Sequence, residues 1–170
     1  MSSKDYGAML ESRGWKREVA KGDFDLGCRI AEAVLGGPTK RGLILSGNYG
    51  SGKTSFVKAL LPNAQMYSMP HQEGVFDLDY QVPQGNPVVL DDIGAEHSVN
   101  EYGIRKEPFA DFVVQWHARR EGLGRLVITT NLSIKEFEER YGGRVVSRLK
   151  ELCVAARFNG GDKREWTVIK

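Results

Sequence analysis

Short continuous apolar runs alternate along the chain with apolar stripes at helical spacing. The runs are Gly42–Ser46, Ala64–Met69, Pro87–Asp92, Arg125–Thr130 and Leu152–Phe158, and each reads as a strand. Apolar stretches of this length without polar alternation indicate strands buried on both faces, as in a parallel sheet. Between them lie predicted helices. One spans Phe24–Leu35, where Leu26, Ile30, Ala33 and Val34 recur at helical spacing after Asp23 as N-cap. Others cover Ser55–Leu61, Pro108–Arg120 with the stripe Phe109, Phe112, Val113 and Trp116, a segment from the Ser133/Glu136 capping box to Tyr141, and Arg144–Glu151. His71–Gln84 reads as irregular, with one short helix near Glu73–Tyr80, and Glu165–Ile169 as a last strand. Met1–Gly22 is polar and broken by Gly7, Gly14 and Gly22, with Trp15 expected at the edge of the domain. The reading is a single α/β domain with a mainly parallel sheet, residues 23–170 forming the core and 1–22 an N-terminal extension.

Composition changes this picture little. With 170 residues, 41% hydrophobic and 27% charged, the chain is long enough for one real core. A net charge of +2 gives no global electrostatic case for nucleic acid. The distribution is less even: His71–Ile104 carries seven acids and no Lys or Arg, whereas Arg144–Lys170 carries seven bases and three acids. The two cysteines, Cys28 and Cys153, match no metal or redox spacing, and Cys153 reads as a core thiol. Neither a signal peptide nor a run long enough for a membrane span is found, so the expected location is the cytoplasm.

The chemistry concentrates at predicted strand ends. Gly47-Asn48-Tyr49-Gly50-Ser51-Gly52-Lys53-Thr54 fits the P-loop pattern G-x-x-x-x-G-K-[ST] between a strand and a helix beginning with Ser55. Glycines allow a tight turn with N–H groups facing inward, and these donors with a helix N-terminus suit a polyphosphate. Lys53 would supply charge to the β- and γ-phosphates of ATP. Thr54 and Asp91 would bind Mg²⁺, which takes oxygen ligands and keeps several waters. Asp92 could deprotonate an attacking water, with Glu96 as a less well-placed substitute. Asn131 could hold that water or the γ-phosphate, or else simply cap the following helix. Arg144 and Arg148, four apart on one helix face, could reach the site of a neighbouring subunit or form a solvated basic face.

Several stretches together resemble a known family: Gly47–Thr54, Val88-Val89-Leu90-Asp91-Asp92-Ile93-Gly94-Ala95-Glu96, Asn100-Glu101-Tyr102-Gly103, Ile128-Thr129-Thr130-Asn131-Leu132-Ser133, and Glu138-Glu139-Arg140-Tyr141-Gly142-Gly143-Arg144-Val145-Val146-Ser147-Arg148-Leu149. From about Gly42 to Phe158 the sequence resembles the AAA+ ATPases of the DnaC/IstB type, the helicase-loader branch. The resemblance implies a P-loop NTPase of the AAA+/ASCE type, a three-layer sandwich with a five-stranded sheet, and no C-terminal lid domain. It assigns Lys53 and Thr54 to Walker A, Asp91 and Asp92 to Walker B, Asn131 to sensor 1, Arg148 to the arginine finger and Arg144 to its companion. It also implies ATP held between protomers, a replicative helicase as partner, and single-stranded DNA. The chain departs from the pattern in the 46 residues before Gly47, where loaders carry a helicase-binding domain, and in a short interval from Thr54 to Asp91. Sensor 2 is missing from its usual lid position, with Arg164 as a partial substitute.

The expectation is therefore an oligomerising ATPase of DNA replication, slow as a monomer and weak on single-stranded DNA. The alternative is a nucleotide-dependent interaction module, such as an IstB-like transposition regulator. A small-molecule kinase fits worst, since neither an acceptor site nor an Arg-rich lid is evident.

Overall fold

The computed structural model describes residues 2–37, 41–69 and 85–161. The short helix expected near Glu73–Tyr80, the last strand at Glu165–Ile169 and Arg164 lie outside them. In chain order the described elements begin with α1 (Ser3–Ser12), α2 (Arg17–Ala20) and α3 (Phe24–Leu35). Then come β1 (Gly42–Gly47), α4 (Lys53–Leu60), β2 (Gln65–Ser68), β3 (Val88–Ile93) and the short strands β4 (Val99–Glu101) and β5 (Ile104–Lys106). They are followed by α5 (Pro108–Ala118), β6 (Leu126–Thr130), α6 (Ile134–Tyr141), α7 (Gly143–Leu152) and β7 (Cys153–Phe158).

The main sheet has five strands in the order β2-β3-β6-β1-β7, every neighbouring pair parallel. Strand side chains alternate between its faces. Leu43, Leu45, Val89 and Val127 point to one face and pack with α1, α3 and α4. Ile44, Val88, Leu90, Leu126 and Ile128 point to the other and pack with α5, α6 and α7. Helices thus cover both faces in three layers, which explains the continuous apolar runs. The expected helix after the glycine-rich loop starts two residues earlier, at Lys53. The Ser133/Glu136 capping box forms: Glu136 N–H donates to Ser133 Oγ at 3.2 Å, and Ser133 N–H to Glu136 Oε2 at 2.7 Å.

Two expectations about the N-terminal region are corrected. Trp15 does not sit at the domain edge. It is 2% exposed, with ring centroids 5.6 Å from Phe24, 4.7 Å from Phe56 and 5.9 Å from Phe158. Tyr6 and Leu10 of α1 are buried beside it, so residues read as a polar extension supply core. The close approach requires Gly27: a Cβ there would lie 2.4 Å from the Trp15 ring. Asp23 makes no side-chain cap on α3. Its carboxylate instead accepts from the N–H groups of Asn159 at 3.2 Å and Gly160 at 3.3 Å, tying the start of α3 to the exit of β7.

Between β3 and α5 the chain leaves the sheet as an antiparallel β4–β5 hairpin, which the apolar pattern did not indicate. Tyr102 and Gly103 at its tip both have positive φ, 50° and 77°. Val99, Tyr102 and Ile104 are exposed.

Candidate functional site

The loop between β1 and α4 is wound tightly, with Ser51 N–H donating to Asn48 O at 3.2 Å. Gly52, just before α4, has φ of 88°, a conformation that a side chain would strain. This turn buries Lys53 at the first position of α4. Its Nζ donates to Gly47 O at 2.8 Å, Asn48 O at 2.9 Å and Asn131 Oδ1 at 2.7 Å. Ser51 is fully buried, with its Oγ 3.4 Å from Lys53 Nζ, whereas Asn48, Tyr49 and Ser55 are exposed.

Parallel strands bring the remaining groups to the same end of the sheet. Thr54 Oγ1 donates to the Asp91 carboxylate, 2.9 Å from Oδ1 and 3.1 Å from Oδ2. Thr129 Oγ1 donates to Asp91 Oδ1 at 2.7 Å and accepts the Asp92 N–H at 2.8 Å. The β3–β6 register shifts between Leu90 and Ile93, and Asp92 within that irregularity has φ of 66°. Bulges of this kind turn a side chain to a new direction. Here the Asp92 carboxylate meets Asn131, whose Nδ2 donates to Asp92 Oδ1 at 2.8 Å. Burial, then the neighbouring Asp91 charge, holds the Asp92 carboxyl above the ordinary aspartate range, with Lys53 opposing.

The structure thus brings Lys53, Thr54, Asp91, Asp92 and Asn131 together. Asn131 does not cap α6, a role taken by Ser133. Glu96 is buried and fully engaged: Oε2 accepts the Gly94 N–H at 2.6 Å, and Oε1 accepts the Tyr141 hydroxyl. Arg144 and Arg148 are not part of this cluster. They lie on α7, Arg144 exposed and Arg148 partly so, with Arg148 Nη1 donating to Arg144 O at 3.2 Å. Cys153 is the expected core thiol, raised by burial to about 12.

Sequence reading missed two contributors. Thr129 joins Asp91 to the Asp92 backbone, and the Thr129-Thr130-Asn131 strand end was its visible signal. Arg157 of β7 lies beside Ser46 in register, with Nη2 3.4 Å from Asn48 Oδ1. No local pattern announces a residue that reaches the loop only through strand pairing.

The oxygen set suits a hard cation: the Thr54 hydroxyl and the Asp91 carboxylate are adjacent and leave room in a coordination shell for phosphate and water. Among the described residues no group of three or more His, Cys, Asp or Glu could hold a metal by itself. No helix among them is long and apolar enough to cross a membrane. No family model matches the chain, and no curated protein matches it.

Proposed function

We propose that the chain is a P-loop ATPase, binding Mg²⁺ and ATP at Gly47–Thr54 and hydrolysing ATP slowly unless assembled. The observation that carries this reading is the contact of Thr54 Oγ1 with the Asp91 carboxylate, directly after a buried Lys53 at a helix N-terminus. A glycine-rich turn by itself supplies a bend. A hydroxyl and a carboxylate meeting beside it, at the carboxyl ends of parallel strands, suit a metal–polyphosphate complex.

In this reading Gly50, Gly52 and Lys53 contribute backbone donors to the phosphates, and Lys53 Nζ reaches the β- and γ-phosphates. Thr54 and Asp91 would hold Mg²⁺, which supplies charge neutralisation on the phosphate oxygens when bound. Asp92 accepts a proton from water as the water oxygen bonds to the γ-phosphorus and the bond to the β-phosphate bridging oxygen breaks, leaving ADP and phosphate. Asn131 orients Asp92 and the water through its amide. Arg148, with Arg144 beside it, would complete the site of a neighbouring protomer. In the resemblance to helicase loaders, the partners would be a replicative helicase and, weakly, single-stranded DNA.

A second reading, a nucleotide-dependent interaction module with little turnover alone, draws on the β4–β5 hairpin and its exposed Val99, Tyr102 and Ile104. The test is phosphate release with wild type and Asp92→Asn, alongside binding of an ATP analogue. The expected result is turnover in wild type and retained binding without turnover in the variant. Full turnover by Asp92→Asn overturns the assignment of the base, and analogue binding with no release by wild type at any protein concentration favours the module.

A further inference from the structure

Residues 94–107 leave the sheet after β3, form the hairpin and return at the start of α5. Their neck is closed by Arg140 of α6. Arg140 Nη1 donates to Gly94 O at 2.5 Å, and Nη2 donates to Glu96 O at 2.6 Å. The same Nη2 lies 3.4 Å from Glu107 Oε2 and 3.5 Å from Glu96 Oε1. A single planar guanidinium therefore joins the first and last residues of the excursion. A planar fork meets separate oxygens with separate nitrogens in a fixed geometry, whereas an ammonium must serve them all from one atom. Its Nε is buried without a hydrogen-bond partner among the described residues, so the polar contacts seen here are made by its two Nη groups.

Tyr141, the next residue, closes the inner side. Its hydroxyl donates to Glu96 Oε1, and its ring lies 4.9 Å from Phe109 and 4.8 Å from Phe137. Burial, then the bond to Glu96, pushes the phenol upward, so the hydroxyl stays a donor. Glu96 in turn fixes the Gly94 N–H. The turn held this way begins at Asp92, whose carbonyl accepts the Ala95 N–H at 3.1 Å. Asp92 at φ 66° and Gly94 at φ 105° both sit in the left-handed region. A strained non-glycine residue persists only where its surroundings over-determine it.

We propose that Arg140 and Tyr141 are positioning residues that hold the Asp92–Glu96 turn, keep the Asp92 carboxylate aligned with Asn131, and lock the hairpin to that turn. The inference rests on the reading of Asp92 as the base. Neither residue touches the nucleotide site: both act through Gly94 and Glu96.

The test compares wild type, Arg140→Ala, Arg140→Lys and Tyr141→Phe by ATP turnover, ATP-analogue affinity and backbone hydrogen exchange. Arg140→Ala should lower kcat by on the order of 10-fold to 10²-fold, as small misplacements of a reacting group do. Its KM and analogue affinity should stay within about twofold of wild type. Arg140→Lys should restore only part of the rate, because one nitrogen would replace the two that meet Gly94 O and Glu96 O separately. Tyr141→Phe, which keeps the ring packing, should show a smaller fall in kcat alone. Exchange in peptides covering 92–107 should quicken by about 10-fold in Arg140→Ala, with the rest of the sheet unchanged. Unchanged kcat and exchange in a folded Arg140→Ala, or a loss confined to KM, would overturn the proposal. If wild type shows no turnover, the ATPase reading fails while exchange still decides the clasp. If Arg140→Ala does not fold, Tyr141→Phe decides by the same measurements.

Discussion

The Asn131 amide donates to Asp92 Oδ1 over 2.8 Å, joining the ends of β6 and β3 through two side chains. This bond favours the charged carboxylate, but burial and the Asp91 charge outweigh it, so the Asp92 pKa is raised in the folded state. A group with a raised folded pKa contributes stability that is fully present below its unfolded value and is lost as pH rises through the folded pKa.

Ionised Asp92 therefore destabilises the nucleotide-free protein at neutral pH. Asp92→Asn removes the charge, keeps an acceptor for Asn131 and tolerates positive φ. It should raise Tm at pH 7 by about 2 °C, the low end of what 1 kcal/mol gives a chain of this size. The difference should shrink as pH falls through the folded pKa of Asp92. Calorimetry of both proteins from pH 7 down to the ordinary aspartate range measures this, and a variant that melts below wild type at pH 7 contradicts it.

Trp15 and Gly27 form a second pair whose interaction sets stability. A methyl group at Gly27 meets the Trp15 ring at 2.4 Å, and that ring is fixed among Phe24, Phe56 and Phe158. Gly27→Ala should destabilise by about 1–3 kcal/mol through overpacking, despite the better helix propensity of alanine. Trp15→Ala should destabilise by about 3–5 kcal/mol. Urea denaturation followed by circular dichroism gives both values, and a stabilised Gly27→Ala would show that Trp15 is not held in this place.

What the sequence made legible was what it encodes locally. Phe24–Leu35, the Ser133/Glu136 box and the apolar strand runs each specify their structure within a few residues, and they form as expected. The Gly47–Thr54 loop and the Asp91-Asp92 and Asn131 positions converge because parallel strands place their carboxyl ends together. What stayed hidden depends on distant partners. Asp23 spends its carboxylate on Asn159 and Gly160 rather than on its own helix. Arg140 reads as one charge on a polar helix, yet its partners lie in 94–107. The hairpin escaped because three-residue strands with exposed side chains carry no burial alternation, leaving only the Tyr102-Gly103 turn as a signal.

Arg148 ties the proposed activity to assembly. It stands on α7, with Nη1 donating to Arg144 O rather than to the Lys53–Asn131 cluster, and the proposed role at the γ-phosphate is one played on a neighbouring protomer. An arginine finger can be worth about 10³–10⁵ in turnover. Specific activity should rise with protein concentration, and Arg148→Ala should bind ATP normally yet stay slow at every concentration. Mixed with Lys53→Ala it should recover part of the rate, since one supplies an intact nucleotide site and the other an intact finger. Flat specific activity with no complementation would return Arg148 to the solvated face of its helix.

Glu96 separates two accounts of the base. Its carboxylate is occupied by the Gly94 N–H and the Tyr141 hydroxyl, and glutamine can satisfy both, donating to the tyrosine oxygen. Glu96→Gln should therefore keep turnover within about an order of magnitude of wild type, whereas Asp92→Asn loses it. Phosphate release under saturating ATP compares them. Loss in Glu96→Gln with retention in Asp92→Asn would move the base to Glu96.

Equilibrium binding of a fluorescent ATP analogue measures whether Lys53, with Thr54 and Asp91, forms the proposed Mg²⁺-dependent ATP site. Wild type should bind with Mg²⁺ and weaken markedly when Mg²⁺ is chelated. Lys53→Ala, confirmed as folded by circular dichroism, should show no saturable binding over the same range. Equal affinity of wild type and Lys53→Ala, with or without Mg²⁺, would mean that Gly47–Thr54 is not an ATP site.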